Sequence, residues 1–262
     1  MLISSLRPSS EFAAYVMAKA HWTGKVVLIT GSSSGIGASC ARQLVEAGAT
    51  VVINSVHSVT EGEALAKELG RASYCQADVS DEDQAKALVE HCIATHGRLD
   101  ALVNNAGTTE VIPHHDLDAL SPELFRRLFD TNVVGTWNVT HAAIDELRKQ
   151  DGSIVNMGSI AGIRPTGSSI PYAVSKAALH HLTVLLAKVA GPQVRVNAVA
   201  PGLIETPWTQ SWATLHELVS AAAPLKRTGQ PEDVASVVID LLEAEYVTGQ
   251  VVVVDGGLTL VN

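Results

Sequence analysis

The segment Thr30-Gly31-Ser32-Ser33-Ser34-Gly35-Ile36-Gly37 lies between a short apolar run, residues 25–30, and a segment with helical periodicity, residues 35–48. Its glycines predict a tight turn at Gly31, a close approach of a ligand to the backbone at Gly35, and close packing of the helix on the strand at Gly37. Free N–H groups at the start of a helix bind anions such as a pyrophosphate. The segment therefore predicts a dinucleotide site, which would use Gly31, Ser33, Ser34, Gly35, Ile36 and Gly37.

Apolar runs alternate with helical segments along the rest of the chain. This alternation, with nearly continuous Val and Ile in the runs, is typical of a parallel sheet that is covered on both faces. We therefore predict an α/β fold, a single-domain Rossmann-type doubly wound parallel sheet of about seven strands with helices on both faces. The predicted strands are residues 25–30, 50–54, 72–76, 99–103, 153–157, 194–199 and 250–254, and the predicted helices are residues 35–48, 59–69, 81–96, 122–149, 171–190 and 231–244.

Residues 1–22 precede the first predicted strand, and we treat them as an N-terminal extension with a short helix over about residues 10–20. Residues 23–262 form one predicted domain. The extension lacks the long apolar stretch of a signal peptide, and no apolar run reaches the ~20 residues that a membrane span needs. We therefore expect a cytoplasmic protein without a membrane partner.

The charge of the chain also limits its partners. The formal net charge is -9, and no basic stripe is present, so a nucleic-acid partner is not expected. The three cysteines are scattered, which argues against a disulfide framework or a zinc site. The adjacent pairs His114-His115 and His180-His181 do not make a natural chelate, because neighbouring side chains point in different directions. We expect no metal.

Tyr172 and Lys176 are four residues apart in a predicted helix, which places both side chains on one face. An ammonium group beside a phenol favours the phenolate and lowers the pKa of the tyrosine. Such a pair is also common on ordinary helices, so it is not decisive alone.

Five further features surround this pair in the chain. Ser159 follows the fifth predicted strand, Asn132 lies on the preceding helix, and Asn104-Asn105-Ala106-Gly107 closes the fourth strand. Pro201-Gly202 ends the sixth strand, and the glycine-rich segment follows the first. This ordered set closely resembles the short-chain dehydrogenase/reductase family, and the resemblance covers roughly residues 24–262.

The resemblance implies a role for each catalytic position. Tyr172 would be the general acid/base, and Lys176 would lower its pKa and bind the nicotinamide ribose. Ser159 would hydrogen-bond the substrate oxygen and stabilise negative charge that develops on it. Asn132 would bend its helix and hold a water in a proton relay. Further contacts with the cofactor are implied for Asp78 and Val79 (adenine), for Asn105, Ala106 and Gly107 (the cleft), and for Pro201, Gly202, Ile204 and Thr206 (the nicotinamide).

These roles imply an oxidoreductase that transfers a hydride between NAD(P)(H) and a small-molecule ketone or secondary alcohol. The alternative is a non-catalytic dinucleotide-binding regulator of the same fold, which the intact catalytic positions disfavour. Family members of this length include 3-oxoacyl-carrier-protein reductases, sugar and polyol dehydrogenases and hydroxysteroid dehydrogenases, and the sequence does not choose among them. The family also implies a homotetramer, with a dimer as the alternative, assembled through residues 122–149, 171–190 and 250–254.

The end of the second strand, residues 52–58, is where the adenosine ribose is read, and it contains no acid that would repel a 2′-phosphate. Ser55, with Asn54 and Ser58, could donate hydrogen bonds to that phosphate, and His57 could add charge. No Arg or Lys stands there, and Ser34 occupies a loop position where many NADP-preferring relatives carry a basic residue. The sequence favours NADP(H), with NAD(H) as the alternative.

Residues 201–224 form a long segment without clear periodicity after the sixth strand, and long loops at this edge of an α/β sheet are often functional. Trp208 and Trp212 would either form an apolar lid over the substrate or anchor the loop to the core. Together with Leu203 and Leu215, they suggest a mainly apolar substrate.

Overall fold

The computed structural model describes residues 21–261, so the helix predicted over residues 10–20 lies outside the described residues. All seven strands are parallel and form one sheet in the order β3-β2-β1-β4-β5-β6-β7. The strands are β1 (Val26–Ile29), β2 (Thr50–Ser55), β3 (Ala72–Gln76), β4 (Ala101–Asn104), β5 (Ser153–Met157), β6 (Arg195–Pro201) and β7 (Val251–Val254).

Helices cover both faces of this sheet, which confirms the predicted fold class. They are α1 (Gly35–Glu46), α2 (Val59–Leu69), α3 (Glu82–His96), α4 (Pro122–Phe129), α5 (Gly135–Lys149), α6 (Ile170–Ala190), α7 (Ala213–Ala222) and α8 (Pro231–Glu243). One buried cluster joins the sheet to α1, α2 and α8, and a second joins the opposite face to α3, α5 and α6. Each of these six helices is therefore held by an apolar face that it buries on the sheet.

The order of the strands reverses between β1 and β4, and ligands of open α/β folds bind at such a switch point. The register pairs Ile29 with Val103, so the loops that follow β1 and β4 leave the sheet side by side. The loops after β5 and β6 leave the same edge. The topology thus places the motifs of the predicted cofactor and catalytic sites at one edge of the sheet.

Two predicted segments differ from the structure. The helix predicted over residues 122–149 is divided into α4 and α5 by a π-helical turn, Asp130–Val134. The segment 201–224, which we expected to be irregular, contains α7. Leu215, Leu218, Val219 and Ala222 do repeat at helical spacing in α7, but the helix has only ten residues and none of them is buried. No side chain caps its first turn either.

At the N-terminal side, Trp22 packs into the first buried cluster, and its indole Nε1 donates to Glu243 Oε1 at 2.6 Å. The division of the chain between residues 22 and 23 stays a prediction. Within residues 21–261, no helix is both long enough and apolar enough to cross a membrane.

Candidate active site

The loop between β1 and α1 is built from backbone contacts that leave no room for side chains. Gly31 has a φ of +59°, and a Cβ placed there would lie 2.8 Å from Cα of Ala106. A Cβ on Gly37 would lie 2.6 Å from Nδ2 of Asn105. The Asn105 amide donates to the carbonyl oxygens of Thr30 (3.0 Å) and Gly31 (2.8 Å), which ties the loop to the end of β4.

This loop delivers the start of α1 to the edge of the sheet. Ser34 is the N-cap residue, and its side chain makes no hydrogen bond to the first turn. The N–H groups of the first turn of a helix have no intrahelical partner, and together with the helix dipole they favour an anion. Gly35, with a φ of +56°, presents no side chain in front of them. The residues present therefore fit a dinucleotide pyrophosphate.

The amino group of Lys176 lies deep in the site. The residue is 3% exposed, and its Nζ donates to the carbonyl oxygen of Met157 at 2.7 Å. The same Nζ is 5.7 Å from the centre of the Tyr172 ring. Burial lowers the pKa of Lys176 to about 8, because the charged form is poorly solvated there.

Tyr172 and Ser159 meet beside this lysine. Burial raises the pKa of Tyr172, and a hydrogen bond with the Ser159 hydroxyl opposes part of that rise. Ser159 begins a short 3-10 turn, Ile160–Gly162, and its Oγ accepts the N–H of Ala161 at 3.1 Å. A hydroxyl pair of this kind can hold a carbonyl oxygen and pass a proton to it.

Asn132 lies within the π-helical turn and is fully buried. Its Oδ1 accepts the N–H of Thr108 at 2.8 Å, and its Nδ2 donates to the Thr108 carbonyl oxygen and to Ser175 Oγ, both at 3.0 Å. The side chain thus fastens the loop after β4 to α6. A Cβ on Gly107 would lie 3.3 Å from Asn132 Oδ1 and 3.5 Å from Lys176 Nζ, so this loop closely covers the lysine.

One cavity of about 950 Å³ joins the glycine-rich loop to Tyr172 and Lys176. Most of the predicted site residues line it: Gly31, Ser34, Gly35, Ile36, Asn105, Ala106, Gly107, Ser159, Tyr172, Lys176, Pro201, Gly202, Ile204 and Thr206. Cavities of this size hold a cofactor together with a small substrate.

Comparison with known proteins agrees with this geometry. A family model described as Enoyl-(Acyl carrier protein) reductase matches residues 31–259. A protein of Streptomyces violaceoruber, named as ketoacyl reductase 2 of the granaticin polyketide synthase, is 55% identical over 239 residues, or 90% of this chain and 96% of that protein. A short-chain type dehydrogenase/reductase from Mycobacterium ulcerans has a TM-score of 0.86 at 35% identity, covering 92% of each chain.

The chain belongs to the short-chain dehydrogenase/reductase family. Another structure, a gluconate 5-dehydrogenase from Burkholderia cenocepacia solved with NADP and tartrate, has a TM-score of 0.86 at 31% identity, covering 94% of this chain and 99% of that one. As a short-chain dehydrogenase/reductase, the protein is an NAD(P)-dependent oxidoreductase that acts on a ketone or secondary alcohol. These relatives do not support the alternative of a non-catalytic regulator.

Several predicted residues of this short-chain dehydrogenase/reductase do not line the cavity. Ser55 is buried, and its Oγ is hydrogen-bonded to the Tyr74 hydroxyl at 2.9 Å. Asn54 is also engaged, because its Nδ2 donates to two carbonyl oxygens of the β3 region and its Oδ1 accepts the Gly31 N–H. The other predicted residues that the structure leaves outside the cavity lining are Ser33, Gly37, His57, Asp78, Val79 and Asn132.

Beyond Tyr172, the sequence identified the side of the cavity that carries Trp208 and Leu215, but it did not identify the opposite side. Thr109 and the residues 111–114 and 165–168 line it, and these loops follow β4 and β5, the same strand ends that carry the motifs. That shared edge is the signal that could have located them. Trp208 lies edge-on to Tyr172, with ring centres 6.4 Å apart, and remains 47% exposed. This arrangement favours the lid interpretation for Trp208.

Proposed function

We propose that the protein reduces the keto group of an uncharged, mainly apolar acyl substrate, with NADP(H) as its cofactor. The observation that carries the substrate class is the composition of the cavity wall. Among the described residues that line it, Lys176 is the single lysine, arginine or acidic residue, and its Nζ is already engaged with Met157. A free carboxylate or phosphate on the substrate would meet no lysine or arginine other than Lys176, only neutral hydroxyls and the His114 imidazole, and burying an incompletely paired charge is unfavourable.

Each catalytic residue would have a separate role in the reduction. Tyr172 would give its proton to the carbonyl oxygen, and the Ser159 hydroxyl would hydrogen-bond the same oxygen as charge develops on it. Lys176 would hold positive charge below the tyrosine and bind the nicotinamide ribose. Asn132 would fix the loop that covers the lysine. When bound, the reduced cofactor supplies the hydride, and the glycine-rich loop with the start of α1 would hold its pyrophosphate.

The wall beyond Tyr172 supports an acyl chain rather than a sugar. It is formed by Val111, Ile112, Pro113, Trp208 and Leu215, with neutral hydroxyl side chains between them. The relative named as a ketoacyl reductase points in the same direction. A sugar acid such as gluconate, the substrate in the name of one structural neighbour, is disfavoured because its carboxylate would need a cation here.

A matched pair of ketones tests the substrate class. Acetoacetyl-N-acetylcysteamine and acetoacetate carry the same keto group, but only the second carries a negative charge. We expect kcat/KM with NADPH to be at least about a hundredfold higher for the thioester, since an unpaired buried charge costs several kcal/mol. Equal values, or a preference for acetoacetate or a keto-sugar acid, would overturn the proposed substrate class. No turnover of any ketone in a broad panel would overturn the proposed reaction.

The preference for NADP(H) rests on the end of β2. No carboxylate stands there to repel a 2′-phosphate, and His57 and Ser58 are both exposed beside it. The side chains of Asn54 and Ser55 already make hydrogen bonds within the protein. We therefore expect these two residues to contribute less to phosphate binding than their side-chain types suggest.

The ratio of kcat/KM for NADPH and NADH measures this preference. We expect NADPH to be preferred by wild type, and Ser55→Asp to shift the ratio toward NADH by about tenfold or more, because a carboxylate repels the phosphate. Thr60→Asp adds the same charge on the exposed surface of α2 and serves as the control, with little change expected. A wild type that prefers NADH tenfold would contradict the proposal, and an unmoved ratio in Ser55→Asp would show that another residue reads the ribose.

For assembly, we infer a homotetramer in the cytoplasm. Apolar side chains remain exposed on α5 and α6, among them Trp137, Val174, Leu185 and Val189, and such a surface is typical of helices that pack against a second subunit. Light scattering at micromolar concentration should give four times the monomer mass. A monomeric mass would contradict the inference, and a dimeric mass would support the alternative. Cell fractionation tests the compartment.

A further inference from the structure

His180 lies in α6, one turn beyond Lys176, and is 8% exposed. The sequence offered it only as half of an unconvincing metal-binding pair. Its neighbour His181 is exposed on the other side of the helix. The buried imidazole therefore belongs to the interior below the active site, where a polar group must find a partner.

The partner of His180 is the backbone of Ser159. The Ser159 N–H donates to His180 Nε2 over 3.4 Å, while Ser159 Oγ accepts the N–H of Ala161 at 3.1 Å. Hydrogen bonds therefore fix both the backbone and the hydroxyl group of Ser159. Ser159 lies two residues beyond the end of β5 and has an extended backbone, with φ and ψ of −168° and 153°, so the direction of its hydroxyl depends on this anchoring.

Two glycines near Ser159 leave space for the His180 imidazole. A Cβ on Gly158 would lie 2.2 Å from His180 Nε2, and a Cβ on Gly162 would lie 2.8 Å from His180 Cε1. Glycine on both sides of Ser159 thus lets the imidazole reach the backbone. The contact with Ser159 depends on this fit.

The accepted hydrogen bond also specifies the state of the ring. Nε2 can accept an N–H only through its lone pair, so the ring is neutral and its proton is on Nδ1. Burial and the nearby ammonium group of Lys176 both disfavour a second proton, and they lower the pKa of His180 to about 4. The ring therefore keeps its acceptor at neutral pH.

We propose that His180 is a positioning residue that sets the Ser159 hydroxyl for the reaction by accepting the Ser159 backbone N–H through a neutral imidazole. The inference rests on the proposed role of Ser159 in binding the substrate oxygen. Without the acceptor, a buried N–H would be left unpaired, and the end of β5 would shift to reach another partner. A displacement of a catalytic group by less than 1 Å is enough to slow the chemical step.

A double-mutant cycle tests whether His180 acts through Ser159. The variants are His180→Met, which removes the acceptor at similar size, and His180→Gln, whose amide oxygen can accept the same N–H. Each is made with Ser159 and with Ser159→Ala, and hydride transfer is followed in single turnovers at saturating NADPH. We expect His180→Met to slow the step by roughly tenfold or more with Ser159 and by less than about twofold with Ser159→Ala, while His180→Gln stays close to wild type.

His181→Met is the matched control, because it changes the adjacent exposed histidine, and its rate should equal that of wild type. An equal loss for His180→Met in both backgrounds would overturn the proposal, since the residue would then act only on general stability. If Ser159→Ala itself leaves the rate unchanged, the proposed role of Ser159 fails instead.

A second measurement uses the unaltered protein and does not depend on the folding of a variant. In wild type labelled with ¹⁵N-histidine, the His180 signals should identify a neutral ring with the proton on Nδ1 at pH 7. An imidazolium, or a ring protonated on Nε2, would overturn the proposal, because neither can accept the Ser159 N–H.

Discussion

The two sides of the cavity are built differently. The catalytic floor, which we define as Ser159, Tyr172 and Lys176, lies between the end of β5 and α6, and its lysine is buried while Ser159 and Tyr172 are partly buried. The substrate rim, residues 203–222, contains α7, which buries none of its residues. The comparison indicates that a change in the rim disturbs the packing of the protein less than a change in the floor does.

The comparison predicts that changes in the floor act on the chemical step. Tyr172→Phe removes the proton donor but keeps the ring that packs beside Trp208. We expect kcat to fall by ~10²–10⁴, with the dissociation constant of NADPH nearly unchanged. Steady-state kinetics and fluorescence titration of NADPH measure the two quantities. Near-normal turnover would show that another group supplies the proton.

The glycine-rich loop between β1 and α1 should tolerate substitution as poorly as the floor does, but the loss should appear in cofactor binding. Gly31→Val places a branched side chain at a φ of +59° and against the backbone of Ala106, so we expect NADPH to bind at least about thirtyfold more weakly. Gly70→Val is the matched control, because Gly70 has a φ of +67° at the end of α2 with open space around it. That variant should lose stability yet keep its NADPH affinity. If Gly31→Val and Gly70→Val bound NADPH with equal affinity, the glycine-rich loop would not be the part that holds the cofactor.

The buried lysine gives the floor a pH dependence. The pKa of Lys176 is lowered to about 8, so its ammonium is charged below that pH and loses its charge as the pH rises through it. We expect kcat/KM for NADPH, which reports on ionisations of the free enzyme, to fall above about pH 8 by up to tenfold per unit. A value that stays constant to pH 9.5 would contradict the assignment.

The smallest effect is expected at the rim. Trp208→Ala removes the ring that lies edge-on to Tyr172, and we expect KM for an extended ketoacyl thioester to rise by about three- to tenfold with kcat nearly unchanged. Tyr246→Ala, at a fully exposed residue outside the cavity, serves as the control. A large loss of kcat in Trp208→Ala would mean that floor and rim are coupled, and the distinction between them would fail.

The same distinction explains how much could be predicted from the sequence. The strands were predictable because they are nearly continuous apolar runs, and most helices because each buries a periodic apolar face. The glycine-rich loop was predictable because its spacing is local. The helix α7 was missed although Leu215, Leu218, Val219 and Ala222 repeat at helical spacing, since the helix is short and no side chain caps its first turn. The partners of Ser55 and His180, which are Tyr74 and the Ser159 backbone, are distant in the chain, and only the fold brings them together.

The π-helical turn at Asp130–Val134 has a consequence for insertions and deletions. An α-helix advances about 100° per residue, and a π turn holds one extra residue, so the apolar stripe moves by about that angle between α4 and α5. Before the turn, Leu124 and Leu128 pack toward Tyr172, and after it Val139 and Leu147 enter the core under the sheet. Removing one residue from this turn would realign the two stripes and leave one of them facing the wrong neighbour. The length of residues 130–134 is therefore under stricter constraint than the identity of their exposed side chains.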